Sequence, residues 1–97
     1  PMKAKFLHAD PDVTPLNEAQ KNACVEMLDS FNATSPALRP TIHIHETLQG
    51  HIAIIMRDKH VPCVGDRVYP AQFHVAARHN LRWLSADGEK VSFGLPQ

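Results

Sequence analysis

The run from Phe73 to Trp83 constrains the fold more than any other stretch, because it satisfies two incompatible periods. Laid out as a strand, Phe73, Val75, Ala77, Leu81 and Trp83 share one face, with His79 the exception; His74, Ala76, Arg78, Asn80 and Arg82 share the other. Wound as a helix started by Pro70 and ended by Gly88, the same run aligns Phe73, Ala77, Leu81 and Leu84 in one stripe. The alternation covers more residues than the stripe, and Asp87-Gly88 suits a hairpin turn, so a strand is the expectation. A strand makes the stretch from Val61 to Leu95 a compact curled sheet, whereas a helix makes the chain a βαββαβ repeat.

Upstream the signals are plainer. Met2 to His8 alternates loosely and reads as a strand, and Asp10-Pro11-Asp12 as a turn. Thr14 stands where an N-cap belongs and Pro15 where the first helical residue needs no N–H. Leu16, Ala19, Ala23, Cys24, Met27, Leu28 and Phe31 then form one apolar stripe, which predicts an amphipathic helix over about 15–32. Cys24 lies inside that stripe and is expected to be a buried, inert thiol. Thr41 to Thr47 and Gly50 to Asp58 read as strands. A three-residue loop, Leu48-Gln49-Gly50, would put Ile42, Ile44, Ile52, Ile54 and Met56 on one face and His43, His45, Thr47, His51, Ala53 and Ile55 on the other. That register separates every isoleucine but Ile55 from the histidines, so it is the expected one.

With 97 residues the chain forms a single domain over 1–97, and 43% apolar residues suit a globular fold. No apolar run approaches the roughly 18 residues that cross a bilayer. Ten basic and ten acidic side chains cancel, which argues against a nucleic-acid partner held by bulk phosphate attraction. The same neutrality leaves little charge to keep copies apart, so the expected partner is a protein or a second copy of the chain. Cys24 and Cys63 show no metal or disulfide spacing, which points to the cytoplasm, and no cofactor fingerprint is present.

Three constellations can carry chemistry. His43, His45 and His51 share a face in the expected register and form either a contact surface or, as three converging imidazoles, a zinc site. Arg78, Arg82 and His74 line the basic face of the Phe73–Trp83 run if it is a strand, and can grip phosphate or an acidic partner. Pro1, if its amine is free, can act as a general base once an apolar pocket lowers its pKa.

The order Pro1, strand, helix over about 15–32, strand over 41–47 resembles the β-α-β unit of the tautomerase superfamily. That resemblance implies proton transfer on keto acids by Pro1, with Arg39 binding the substrate carboxylate. The Pro62-x-Val64-Gly65-Asp66-x-Val68 block and the Trp83 hairpin resemble small SH3-like barrel domains of phage and mobile-element type. This second resemblance covers about the last half and bears on architecture more than on activity. The expected fold is therefore α+β, with one N-terminal helix on a curved, mainly antiparallel sheet or small SH3-like barrel. The expected function is a stand-alone, non-catalytic binding module contacting its partner through His43, His45 and His51 or through Arg78 and Arg82. The alternatives are a Pro1/Arg39 proton-transfer enzyme and a His43/His45/His51 metal protein.

Overall fold

A computed structural model of the chain describes residues 6–9, 13–34, 40–56, 70–86 and 90–97. It is an α+β fold in which strands β1 (Phe6–Ala9), β2 (Thr41–Thr47), β3 (Gly50–Met56), β4 (Arg82–Ala86) and β5 (Lys90–Gly94) make one sheet. Helices α1 (Glu18–Thr34) and α2 (Pro70–His79) pack on it and on each other. The strand order is β1-β2-β3-β5-β4: β1 runs parallel to β2 and every other neighbouring pair is antiparallel. Among the described residues the sheet is open, with β1 and β4 at its edges, and does not close into a barrel. The Val61–Val68 block that suggested it lies outside the described residues.

Helix α1 carries most of the expected stripe: Ala23, Cys24, Met27, Leu28 and Phe31 are all buried, whereas Ala19 is exposed and Leu16 precedes the helix. Its start differs in chemistry from the expectation. Asn17 and not Thr14 is the cap, since the Gln20 N–H donates to Asn17 Oδ1 (2.8 Å) while the Asn17 N–H donates to Gln20 Oε1 (2.9 Å). This reciprocal box satisfies two donors that a helix start otherwise leaves orphaned. Gln20 also donates its amide to the Pro96 carbonyl (2.7 Å), tying the first turn to the end of the chain's last strand.

Residues 70–79 form a helix, against the expected strand. Two features account for it. The buried side of α2 is Gln72, Val75 and Ala76, a helical stripe hidden from hydropathy because Gln72 is polar. Gln72 is fully buried and donates to Ser30 Oγ (3.1 Å) on α1, which removes the penalty of burying an amide. The helix then stops on Asn80, whose φ of 55° is the left-handed conformation Asn tolerates. Leu81 N–H donates to Ala76 O (2.9 Å) and Asn80 N–H to Ala77 O (3.4 Å), the paired bonds of a Schellman ending. Leu81 is buried, which supplies the apolar contact that such endings carry.

The resulting order is βαββαββ, not a symmetric βαββαβ repeat. The first unit, β1-α1-β2, joins adjacent parallel strands, but β5 lies between β3 and β4, the strands that α2 connects.

The β2–β3 register also differs by one residue from the expectation. Thr47 pairs with Gly50 across a two-residue turn, Leu48-Gln49, and the pairing continues to Thr41 opposite Met56. Thr47 holds the turn by donating its hydroxyl to the Gly50 carbonyl (2.7 Å) and accepting from the Gln49 N–H (3.3 Å). Gly50 has φ 120°, a backbone conformation that L side chains rarely adopt, so glycine is the residue the turn calls for. Ile42, Ile44, Ala53 and Ile55 therefore face the helices with Val91 and Phe93, all of them buried. Ile52, Ile54 and Met56 go to the other face. Ala53 sits between Ile44 and Phe93 in the pairing, where its small side chain leaves room for the Phe93 ring.

Candidate functional site

The shifted register distributes the histidines. His43 and His45 lie on the face away from the helices, in rows His43–Ile54–Ser92–Ser85 and His45–Ile52–Gly94–Arg82. His51 pairs with Glu46 on the helix side. The convergent set His43, His45 and His51 is not assembled, and among the described residues no group of three metal-ligating side chains exists. Arg78 and Arg82 are separated as well. Arg78 is on α2, where it pairs with Glu26 (3.0 Å), and Arg82 opens β4 on the far face. The expected basic face belonged to a strand that is in fact a helix.

His51 holds the segment that precedes α1. Its Nε2 donates to the Thr14 carbonyl (2.8 Å), while Thr14 donates both its N–H (2.8 Å) and its hydroxyl (2.9 Å) to the Glu46 carboxylate. His51 therefore donates to a carbonyl and the Thr14 hydroxyl to a carboxylate, so this is no nucleophile–base pair. It is a clasp. The Thr14 N–H, then its hydroxyl, hold the Glu46 carboxyl below the usual carboxylate range. A lowered folded-state pKa stabilises the clasp above the ordinary carboxylate range, and that contribution is lost as pH falls through the lowered value. The Thr14 amide resonance is expected to titrate with a midpoint below the ordinary carboxylate range and to lose its pH dependence in Glu46→Gln. A midpoint within the ordinary range contradicts the clasp.

A second polar tie joins the helices. His79 Nε2 donates to Glu26 Oε2 (2.7 Å), which Arg78 also reaches. Glu26 and Arg78 are substantially exposed, so the pair contributes at most about 1 kcal/mol. Its main effect is to fix the end of α2 on α1.

Cys24 behaves as its place in the stripe predicts. It is buried, and loss of solvation pushes its thiol up to about 12. A Cys63→Ser variant, whose one remaining thiol is Cys24, is expected to react with a disulfide reagent only on unfolding; rapid labelling of the folded protein contradicts that placement.

The face turned away from the helices carries Ile52, Ile54, Met56 and Leu84, the last two 39% and 43% exposed. Neither helix packs on it; both cover the opposite face. Charge is divided in the same way. Among the described residues this face holds Arg82, Lys90, His43 and His45 and no acidic side chain. Glu18, Glu26 and Asp29 are on α1, and Glu46 is on the helix side of β2. Toward the β2–β3 turn the face dips into an open cleft of about 530 Å³, walled by Ile52, Leu84 and Leu95 and lined by Arg82 and Thr47. Sequence reasoning missed the cleft because it assembles from the β2–β3 turn, the α2–β4 junction and the end of β5.

Pro1 and Arg39, the residues of the proton-transfer reading, lie outside the described residues. No protein-family model, curated protein or solved structure matches the chain. Among the described residues no helix is long and apolar enough to cross a membrane.

Proposed function

We propose that this chain is a small, non-catalytic binding module that takes an acidic segment of a partner protein on the open face of its sheet. One observation carries the reading: a half-apolar face with Arg82 at its margin and no described acidic side chain lies opposite the helical layer. An apolar centre within a polar rim is the usual anatomy of a protein contact. Charge complementarity favours an acidic occupant over a second copy, because a two-fold pairing of this face would set cations against cations. Base stacking is not supported either, since the described residues place no phenylalanine, tyrosine or tryptophan ring there. The aromatic trio Phe73, Trp83 and Phe93 belongs to the helix side. The two cysteines, without paired spacing, fit a reducing compartment, so the module is placed in the cytoplasm.

The probe that tests this is a fluorescent peptide alternating glutamate with leucine. Expected is saturable binding that weakens with salt, is lost in Ile54→Glu and is unchanged in Asn22→Glu, which adds the same charge on exposed α1. Equal loss in both variants, or no binding to the wild type, overturns the reading.

A second reading keeps Pro1 as a general base, with Arg39 for a carboxylate. It is favoured by the parallel β1-α1-β2 unit and disfavoured by β5 dividing the second unit. Mass spectrometry of the natural protein that finds Met before Pro1, or a start at Met2, removes it.

A further inference from the structure

We infer that the cleft at the turn end of the open face is a carboxylate site, taking one acid group on a short apolar stem. The inference rests on the open face being the contact surface and narrows that contact to one chemical group.

Arg82 is the anchor. It lines the cleft, and no described residue forms a hydrogen bond or ion pair with its guanidinium, whereas Lys21 and Arg78 both have carboxylate partners. Its side chain lies along the sheet over Gly94: a Cβ built on Gly94 would sit 3.7 Å from Arg82 Nε and 3.8 Å from Nη2. A guanidinium already laid against backbone loses less freedom when a ligand arrives, and its fork matches a carboxylate in two parallel bonds.

The lining fixes the charge of the guest. It contains no acidic side chain; its ionisable side chains are Arg82 and His51, and His51 already donates Nε2 to the Thr14 carbonyl. One guanidinium balances one carboxylate and leaves a dianionic phosphate half neutralised. The C-terminal end of α2, which reaches the cleft through Asn80, is quenched there because the Ala76 and Ala77 carbonyls already accept bonds. Ile52, Leu84 and Leu95 supply an apolar wall for the stem. The volume falls within the range of small-ligand sites, about 300–1,000 Å³. The group can come from a free short-chain acid or from the terminal residue of a partner chain.

The experiment is amide chemical-shift titration of the labelled protein with hexanoate, hexylamine, and acetyl-Ala-Leu as free acid and as amide. Expected are saturable shifts at Thr47, Gly50, Ile52 and Gly94 with both acids, at least tenfold weaker binding of the amide, and none of hexylamine. Tighter binding of the peptide acid than of hexanoate names a chain terminus as the source; the reverse names a free acid. Arg82→Gln is expected to weaken hexanoate at least tenfold. Gly94→Val, which pushes the guanidinium off the sheet without removing it, is expected to do the same, while the Ile55 amide stays in place as a check on folding. Absence of saturable acid shifts, or equal affinity in Arg82→Gln, overturns the inference. If hexanoate fills the cleft while the glutamate–leucine peptide leaves Ile54 and Lys90 unmoved, the partner reading fails and the carboxylate site stands. The opposite pattern sinks the site and spares the reading.

Discussion

Ile55→Ala is expected to lower the free energy of unfolding by about 2–5 kcal/mol, and its neighbour Ile54→Ala by no more than about 1 kcal/mol. The two substitutions delete the same atoms from adjacent positions of one strand. They differ in surroundings: Ile55 is fully buried between Ile42 and Val91, whereas Ile54 is partly exposed between His43 and Ser92. Truncating Ile55 forfeits its transfer free energy and leaves a cavity under the helices, where neighbours relax only in part. At Ile54 water reaches the site and no closed cavity forms. A domain of this size has about 5–15 kcal/mol of stability in all, so the Ile55 change lowers the urea midpoint visibly. If Ile54→Ala costs more than Ile55→Ala, the strand pairs in the other register.

Phe93→Ala is expected to cost about 3–5 kcal/mol and to alter the fluorescence of the single tryptophan. Phe93 is fully buried on β5, between β3 and β4, and its ring meets Trp83 edge-on with centroids 5.9 Å apart. Trp83 in turn meets Phe73 of α2 at 6.0 Å, so the three rings couple the helix to strands β4 and β5. Removing the Phe93 ring takes away its own burial and the edge-to-face contact with Trp83, the latter worth about 0.5–1.5 kcal/mol by itself. Near-ultraviolet dichroism and tryptophan emission should shift in the folded state of any variant stable enough to observe. An unchanged tryptophan signal in folded Phe93→Ala contradicts the ring arrangement.

The contrast between α1 and α2 explains what the sequence disclosed of the fold. Helix α1 buries an unbroken apolar stripe, Ala23 to Phe31, and its period can be read directly. Helix α2 buries Gln72 and half-buries His79 on the side that packs, while Phe73 stays more than half exposed against Trp83. Polar residues with partners on α1, Ser30 and Glu26, are thus interleaved where apolar ones mark a helix face. What remains is a false alternation, Phe73, Val75, Ala77. The readable sign was local: Arg78 and His79 in the last turn followed by Asn80, a helix ending rather than a strand interior.

The candidate surface was half legible for a related reason. His43 and His45 share the open face with Arg82, but His51 and Arg78 do not join them. The buried-face argument failed because it assumed that the bulkier residues of β3 turn inward. The core instead takes Ala53 and Ile55, since Phe93 fills the space beside Ala53. Side-chain size in one strand is set by its neighbours, which a single strand's sequence does not contain.

All five isoleucines of the chain lie in β2 and β3, which makes them reporters on the division of the two faces. Selective methyl labelling with a soluble paramagnetic relaxation agent should broaden Ile52 and Ile54 and spare Ile42, Ile44 and Ile55. Adding the glutamate–leucine peptide should then protect Ile52 and Ile54 again. Protection of Ile42, Ile44, Ile52 and Ile54 together with broadening of Ile55, or no effect of the peptide on the exposed pair, contradicts the open binding face.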